Sequence, residues 1–225
     1  MAGRRISPTG AGNRTSRPSV LAVEEAQESV TDATANISLT AAAFPALRPL
    51  LDHLDHLEAS GESADLGTLA RLLEQLGLGR TDLQDACLFA DERYQRNMIR
   101  RTSGYELVCL CWRSGQRTPI HDHFGSACAF VVVEGIATET RFERTPSGLI
   151  CPAWTRHHEP GYVCASAEAD IHQVANSGPP GTELITLHCY TPPLREFNVY
   201  TLDTPTAFDP NAVRRNPLAG QESRK

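Results

Sequence analysis

A mainly β fold, a sandwich or barrel of short strands with helices packed before it, is what the sequence predicts. Three observations predict it. Leucines recur at three- and four-residue steps between Leu47 and Leu76 and nowhere else at that density. From Tyr94 onward, short runs rich in β-formers follow one another, most of them separated by Gly, Pro or Asn. Within one such run, Ile136, Thr138, Thr140 and Phe142 alternate with Ala137, Glu139, Arg141 and Glu143, the pattern of a half-buried strand. Many short strands at regular spacing are the signature of sandwiches and barrels.

Taken in order, residues 1–35 are expected to be a disordered tail. Met1 to Val20 mixes Gly, Pro, Ser and Thr with four arginines and holds no acid, a composition with too little apolar surface to offset the entropy of ordering. An organelle-targeting segment is the competing reading. Residues 36–92 form a helical part. Leu47, Leu50, Leu51, Leu54 and Leu57 share one helix face, and Asp65 precedes a second run, Leu66 to Leu76, that stops at Gly77. Thr81 with Gln84 resembles a capping box opening a third, short helix. His53 and His56, three apart beside Asp52 and Asp55, are read as a solvated face rather than a metal pinch.

Residues 93–205 carry the strands, expected over Tyr105 to Trp112, Ala127 to Val133, Ile136 to Phe142, Gly161 to Cys164, Asp170 to Val174, Glu183 to Tyr190 and Asn198 to Leu202. Residues 206–225 are a polar, Pro- and Gly-containing tail expected at the surface.

Composition sets the class. The 225 residues suit one domain with appendages, and 40% apolar residues describe an ordinary globular protein. Acids exceed bases by 27 − 21 = 6, which disfavours nucleic acid and anionic membrane as partners. The seven-residue run Ala127 to Val133 is far short of a membrane span. Seven cysteines cannot all pair within one chain, and no CxxC occurs, so reduced thiols in the cytoplasm are expected. Most of these thiols (Cys87, Cys109, Cys111, Cys164 and Cys189) read as small core hydrophobes, and Cys151 as loop-like.

The chemistry centres on His121-Asp122-His123. Residues two apart on a strand point to the same side, so both imidazoles can reach one metal ion. A lone HxH is weak. Its surroundings strengthen it: Gly115 lies six positions before His121, Gly135 twelve after His123, and a third histidine, His172, precedes Asn176 by four. His157 and His158, beside Arg156 and Glu159, are read as a solvated polar loop.

These intervals resemble the two cupin motifs, with Cys128 in place of the first motif's glutamate and without the second motif's PxG loop. Four segments narrow the resemblance to the cysteine dioxygenase family, over roughly Leu47 to Asp203. Tyr94-Gln95-Arg96-Asn97 is similar to its Tyr-x-Arg-Asn element. Cys111-Trp112 precedes the HxH motif as in that family. Cys128 matches the cysteine that crosslinks to tyrosine. Thr186-Leu187-His188-Cys189-Tyr190-Thr191-Pro192-Pro193 is similar to Ser-x-His-x-Tyr-Ser-Pro-Pro.

The resemblance implies a cupin (jelly-roll-like) β-barrel and Fe(II) held by His121, His123 and His172. It implies Arg96 as the clamp on a substrate carboxylate, flanked by Tyr94, and Tyr190 as a hydroxyl beside substrate. It further implies a possible Cys128–Tyr190 thioether and His188 orienting Tyr190, with Thr186 behind. Imidazole suits Fe(II), and a ligand set without carboxylate favours an anionic, sulfur-bearing substrate. The expected reaction is oxidation of L-cysteine with O2 to cysteine sulfinic acid. A dioxygenase of 3-mercaptopropionate or cysteamine, and a non-catalytic metal-binding cupin, are the alternatives. Gln95 beside Arg96 touches that choice, because the relatives that oxidise 3-mercaptopropionate carry glutamine at the clamp position. Tyr94 and Asn97 set the register at Arg96. The chain is expected to act as a monomer. Thr191-Pro192 is a candidate cis bond.

Overall fold

The computed structural model describes residues 43–166 and 170–203, and the backbone of 213–215. The expected disordered tail, residues 1–35, lies outside the described residues.

The helical part opens with a 3-10 turn, Pro45–Leu47, that runs directly into α1, Arg48–Ser60. Pro49 sits in the first turn of α1, where its missing N–H costs no intrahelical bond. Gly61 closes α1 in the left-handed region at φ +71°. Asp65 caps α2, Leu66–Leu76, by accepting from Thr68 N at 2.7 Å. A 3-10 segment, Arg80–Ala86, follows. Its entry differs from the expected Thr81–Gln84 box: the Asp82 carboxylate accepts from the Gly79 N–H at 2.9 Å. Aspartate at that position is the better cap because its short anionic side chain reaches back to an otherwise unpaired donor.

Among the described residues, eleven strands form two antiparallel sheets. The first has the order β1-β2-β9-β4-β7 and the second β11-β10-β3-β8-β5-β6. In the first sheet, β1 is Gln95–Arg101, β2 Glu106–Arg113, β4 Ala127–Glu134, β7 Val163–Ser166 and β9 Glu183–Thr191. In the second, β3 is Ile120–His121, β5 Ala137–Arg144, β6 Ile150–His158, β8 Ile171–Ala175, β10 Glu196–Tyr200 and β11 Val213–Arg215. This is the jelly-roll arrangement of cupins, with two sheets rather than one closed ring of strands.

The first sheet is buried on both faces, which explains its continuous apolar runs. Leu107, Cys109 and Cys111 of β2 and Ala129, Val131 and Val133 of β4 pack with the helical Leu47, Leu50, Leu51, Leu54, Leu69 and Leu73. The alternate residues Val108, Leu110, Trp112, Cys128, Phe130 and Val132 pack inward with Ala137 and Val174 of the second sheet. The site lies on that inward side.

Four expectations need correction. β1 and β6 were not anticipated, because Gln95–Arg101 and Ile150–His158 carry too many polar and charged residues to read as strands. β6 is an edge strand, where Pro152 is tolerated and an exposed polar face is normal. The faces of β5 are inverted: Ala137 and Glu139 point in, while Ile136, just before the strand, is 51% exposed. Phe142 lies on the opposite face and is buried in a separate small cluster with Ile150, Ile171 and Tyr200. The bulge beside it falls on β6, where Trp154 and Pro152 face Arg141 and Phe142. Finally, Val213–Arg215, within the expected loose tail, pairs with β10.

Candidate active site

His121 and His172 are directly opposed on β3 and β8, and His123 follows two residues later. The ligand-capable atoms of the three lie within 4.8 Å of one another. His172 Nε2 stands 3.2 Å from His123 Nε2. His121 Nδ1 lies 3.0 Å from the Pro119 carbonyl, which can only accept, so Nδ1 carries the proton and Nε2 keeps its lone pair. Burial first, then neighbouring histidines, holds His121 down at about 3 and His123 well below its ordinary value. Neutral imidazole is the form that binds metal. The buried Nδ1 of His123 has no hydrogen-bond partner, and no carboxylate belongs to the group. Three neutral, converging imidazoles fit a divalent transition metal such as Fe(II).

A second layer of acids holds these rings, and neither acid was read as part of the site from sequence. Glu139 on β5, 0% exposed, lies 2.9 Å from His172 Nδ1 and 3.0 Å from His158 Nε2, and accepts from Arg141 Nε at 2.8 Å. Burial favours its neutral form, but His172, Arg141 and His158 outweigh this and pull the carboxyl down to about 2. His158, expected in a solvated loop, is therefore buried on β6, stacked on Tyr162 at 3.8 Å between centroids. His157 stays near the surface against Thr138. Asp122 turns away from the metal group and ties β3 to β10, accepting from Asn198 Nδ2 at 2.8 Å and from the Tyr200 hydroxyl at 2.6 Å. Those bonds hold His121 and His123 on either side of it. His53 and His56 on α1 join no metal-capable group among the described residues.

Arg96, the second residue of β1, enters the same space from the other sheet. A cavity of about 80 Å³ is lined by Tyr94, Arg96, the three histidines, His188 and Tyr190, and is closed by the apolar Leu110, Val174, Leu194 and Phe197. A larger open hollow of about 600 Å³ lies over Thr155–Tyr162, away from all of these groups. Arg96 Nη2 donates to Glu106 Oε1 at 2.8 Å, and its guanidinium sits 5.6 Å from the Tyr190 ring centre. Glu106, fully buried on β2, also faces Arg101 at 3.2 Å. Two cations thus share one carboxylate. Arg96 Nε remains without a partner.

Tyr190 and His188 lie two apart on β9 and face the same side. His188 Nδ1 is 3.4 Å from the Tyr190 hydroxyl, and its Nε2 is 2.9 Å from Thr186 Oγ1. Trp112 Nε1, which can only donate, reaches the same Thr186 oxygen at 3.1 Å, and Trp112 stacks on Tyr94 at 4.3 Å. Cys128 is the cross-strand partner of Tyr190, and its Sγ lies 3.9 Å from His188 Nδ1. Burial pushes the Tyr190 phenol and the Cys128 thiol well above their ordinary values, so both keep their protons at neutral pH. Burial and the Arg96 charge keep His188 neutral. The Thr191–Pro192 bond is cis.

Comparison with known proteins matches residues 37–202 to the family model of cysteine dioxygenase type I. Human cysteine dioxygenase type 1 is 25% identical over 168 residues, covering 72% of this chain and 79% of that protein. The Rattus norvegicus protein of the same name is 29% identical over 135 residues, covering 58% and 62%. Among solved structures, an uncharacterized conserved protein with a double-stranded beta-helix domain from Klebsiella pneumoniae is 17% identical and covers 52% of this chain and 88% of its own, at a TM-score of 0.45. The family match spans the helical part and both sheets, and the chain belongs to the cysteine dioxygenase type I family.

Proposed function

We propose that the chain is a non-haem Fe(II) dioxygenase that adds both atoms of O2 to the sulfur of L-cysteine, giving cysteine sulfinic acid. The observation that carries this reading is one cavity of about 80 Å³ lined by three metal-capable imidazoles, a guanidinium and a phenol. Bound at His121, His123 and His172, Fe(II) would supply open positions for a thiol and O2, and a positive charge that favours the thiolate.

The remaining work falls to the chain's own side chains. Arg96 shares the carboxylate of Glu106 with Arg101, which leaves its guanidinium able to meet the carboxylate of cysteine as well. The free Nε of Arg96 offers a donor for it. Tyr190 keeps its proton and donates a hydrogen bond toward substrate or to His188. In the tautomer with His188 Nε2–H donating to Thr186, Nδ1 is left to accept from Tyr190. The Trp112–Thr186–His188 chain thereby fixes where the phenol points. The apolar wall excludes water from the reacting sulfur. Tyr94, stacked on Trp112, bounds the space beside Arg96.

A thioether between Cys128 and Tyr190 would hold that ring further. Its formation removes two hydrogens, with O2 as oxidant, and an intact mass lower by two hydrogens after turnover reads it out. A mass unchanged after many turnovers would show that the bond does not form.

Oxygen uptake by Fe(II)-loaded protein tests the reaction. L-cysteine should be consumed well ahead of 3-mercaptopropionate and cysteamine. No uptake with any thiol leaves a non-catalytic metal-binding cupin. Cysteamine turned over as well as cysteine would show that Arg96 clamps nothing. All seven cysteines are free, consistent with the proposed reducing, cytoplasmic setting. No helix among the described residues is long and apolar enough to cross a membrane. A monomer is proposed, and sedimentation of the iron-loaded chain checks it.

A further inference from the structure

A second group of converging ligands lies on the opposite face of the first sheet. Cys109 and Cys111 are two apart on β2 and share the face that packs under the helices, while Val108, Leu110 and Trp112 face the iron side. Cys87, at the end of the 3-10 segment Arg80–Ala86, reaches them from above. The three sulfurs lie within 4.8 Å of one another, and Cys109 and Cys111 are 3.9 Å apart. Ordinary core packing asks only for small apolar volume at such positions. It does not ask three thiols from two distant segments to meet.

We infer that Cys87, Cys109 and Cys111 bind one soft, thiophilic metal ion, Cu(I), at a site separate from the three histidines. Sulfurs held about 2.3 Å from a shared ion stand about 4.0 Å apart in a trigonal site and about 3.8 Å apart in a tetrahedral one, and the 3.9 Å between Cys109 and Cys111 suits either. Donor number decides. Among the described residues no fourth histidine, cysteine or carboxylate joins the group, whereas structural Zn(II) sites are almost always four-coordinate and iron–sulfur clusters take four thiolates. Soft thiolates select Cu(I), for which three suffice.

The surroundings prepare the sulfurs for a cation. Asn97 Nδ2 reaches Cys111 Sγ at 3.5 Å while donating to the Leu88 carbonyl at 2.9 Å, so a buried amide is anchored where it can donate to sulfur. Cu(I) entry forms three Cu–S bonds and releases the ligands' thiol protons to solvent, with no change of oxidation state. Cys87 is half-buried and gives the ion its way in.

Iron-loaded protein titrated anaerobically with Cu(I), held by a competing chelator, tests the site. Expected are one Cu(I) per chain, a thiolate-to-copper band in the ultraviolet, and sulfur-only neighbours by X-ray absorption. Cys87→Ser should weaken binding by more than about 100-fold, beyond what losing a group behind a ligand costs. Cys111→Ala should do the same, with circular dichroism and the melting midpoint showing that each variant is folded. Cys151→Ser should change nothing. Binding indifferent to Cys87→Ser, nitrogen neighbours around the copper, or Zn(II) held more tightly than Cu(I) by the same three cysteines would overturn the assignment.

Discussion

Arg96 and Glu139 do opposite kinds of work in the site. Arg96 lines the cavity from a shared ion pair, whereas Glu139 stands behind a metal-capable ring and touches no cavity space. Arg96→Ala should raise KM for cysteine by about 10- to 100-fold, the loss of one or two charge-assisted hydrogen bonds, with iron content unchanged. Arg101 still faces Glu106 in that variant, so no carboxylate is stranded. Loss of iron instead would place Arg96 in the metal site. Glu139→Gln keeps the shape but removes the charge, and should weaken metal binding by about 10- to 100-fold in chelator competition. Both residues are plain in the sequence, but only Arg96 sits in a recognisable motif. Glu139 alternates with threonines on a polar-looking strand, the pattern of a solvated acid. Its partners, His158 and His172, come from strands 19 and 33 residues away.

At the level of elements, the β4–β5 connection shows how tightly the sheets are joined. Gly135 has φ +80°, and a Cβ there would press on the Glu183 carbonyl of β9. Gly135→Ala should therefore cost about 2 kcal/mol or more in denaturant unfolding, combining left-handed strain with backbone overlap. A loss under about 0.5 kcal/mol would mean the turn relaxes. This glycine was legible through its interval from His123, and the doubly buried β2 and β4 through their unbroken apolar runs. β1 and β6 were not, because an edge strand or a strand carrying site arginines lacks the period-two signal. The faces of β5 were read inverted for a related reason. A small alanine and a paired glutamate occupy the inward positions that usually hold large apolar residues.

For the whole molecule, the buried site makes acid destabilising. His121 is held at about 3 against 6.5 ordinarily, so below pH 6.5 the unfolded chain takes up a proton that the folded chain refuses. That contribution is lost progressively between pH 6.5 and 3. Glu139, at about 2 against 4.5, adds a loss in the same direction between pH 4.5 and 2. The urea midpoint of metal-free protein should therefore fall steadily from pH 7 to pH 4. A flat profile would show the histidines to be hydrated. Bound metal steepens the fall, since it requires the neutral rings.

The sequence by itself determined the class, the family resemblance and the residues around the cavity. Helix period, strand punctuation and fixed intervals between glycines and histidines are local properties that one chain displays. Tertiary structure alone decided which acids stand behind those residues, that His158 is buried, and that Cys87, Cys109 and Cys111 meet. The physical reason is that a side chain's partners are set by strand order and register across two sheets. β2 lies beside β9, and β5 beside β8, although long stretches of chain separate them. Polar residues that read as solvated in isolation become a buried, charge-balanced support once those strands are paired.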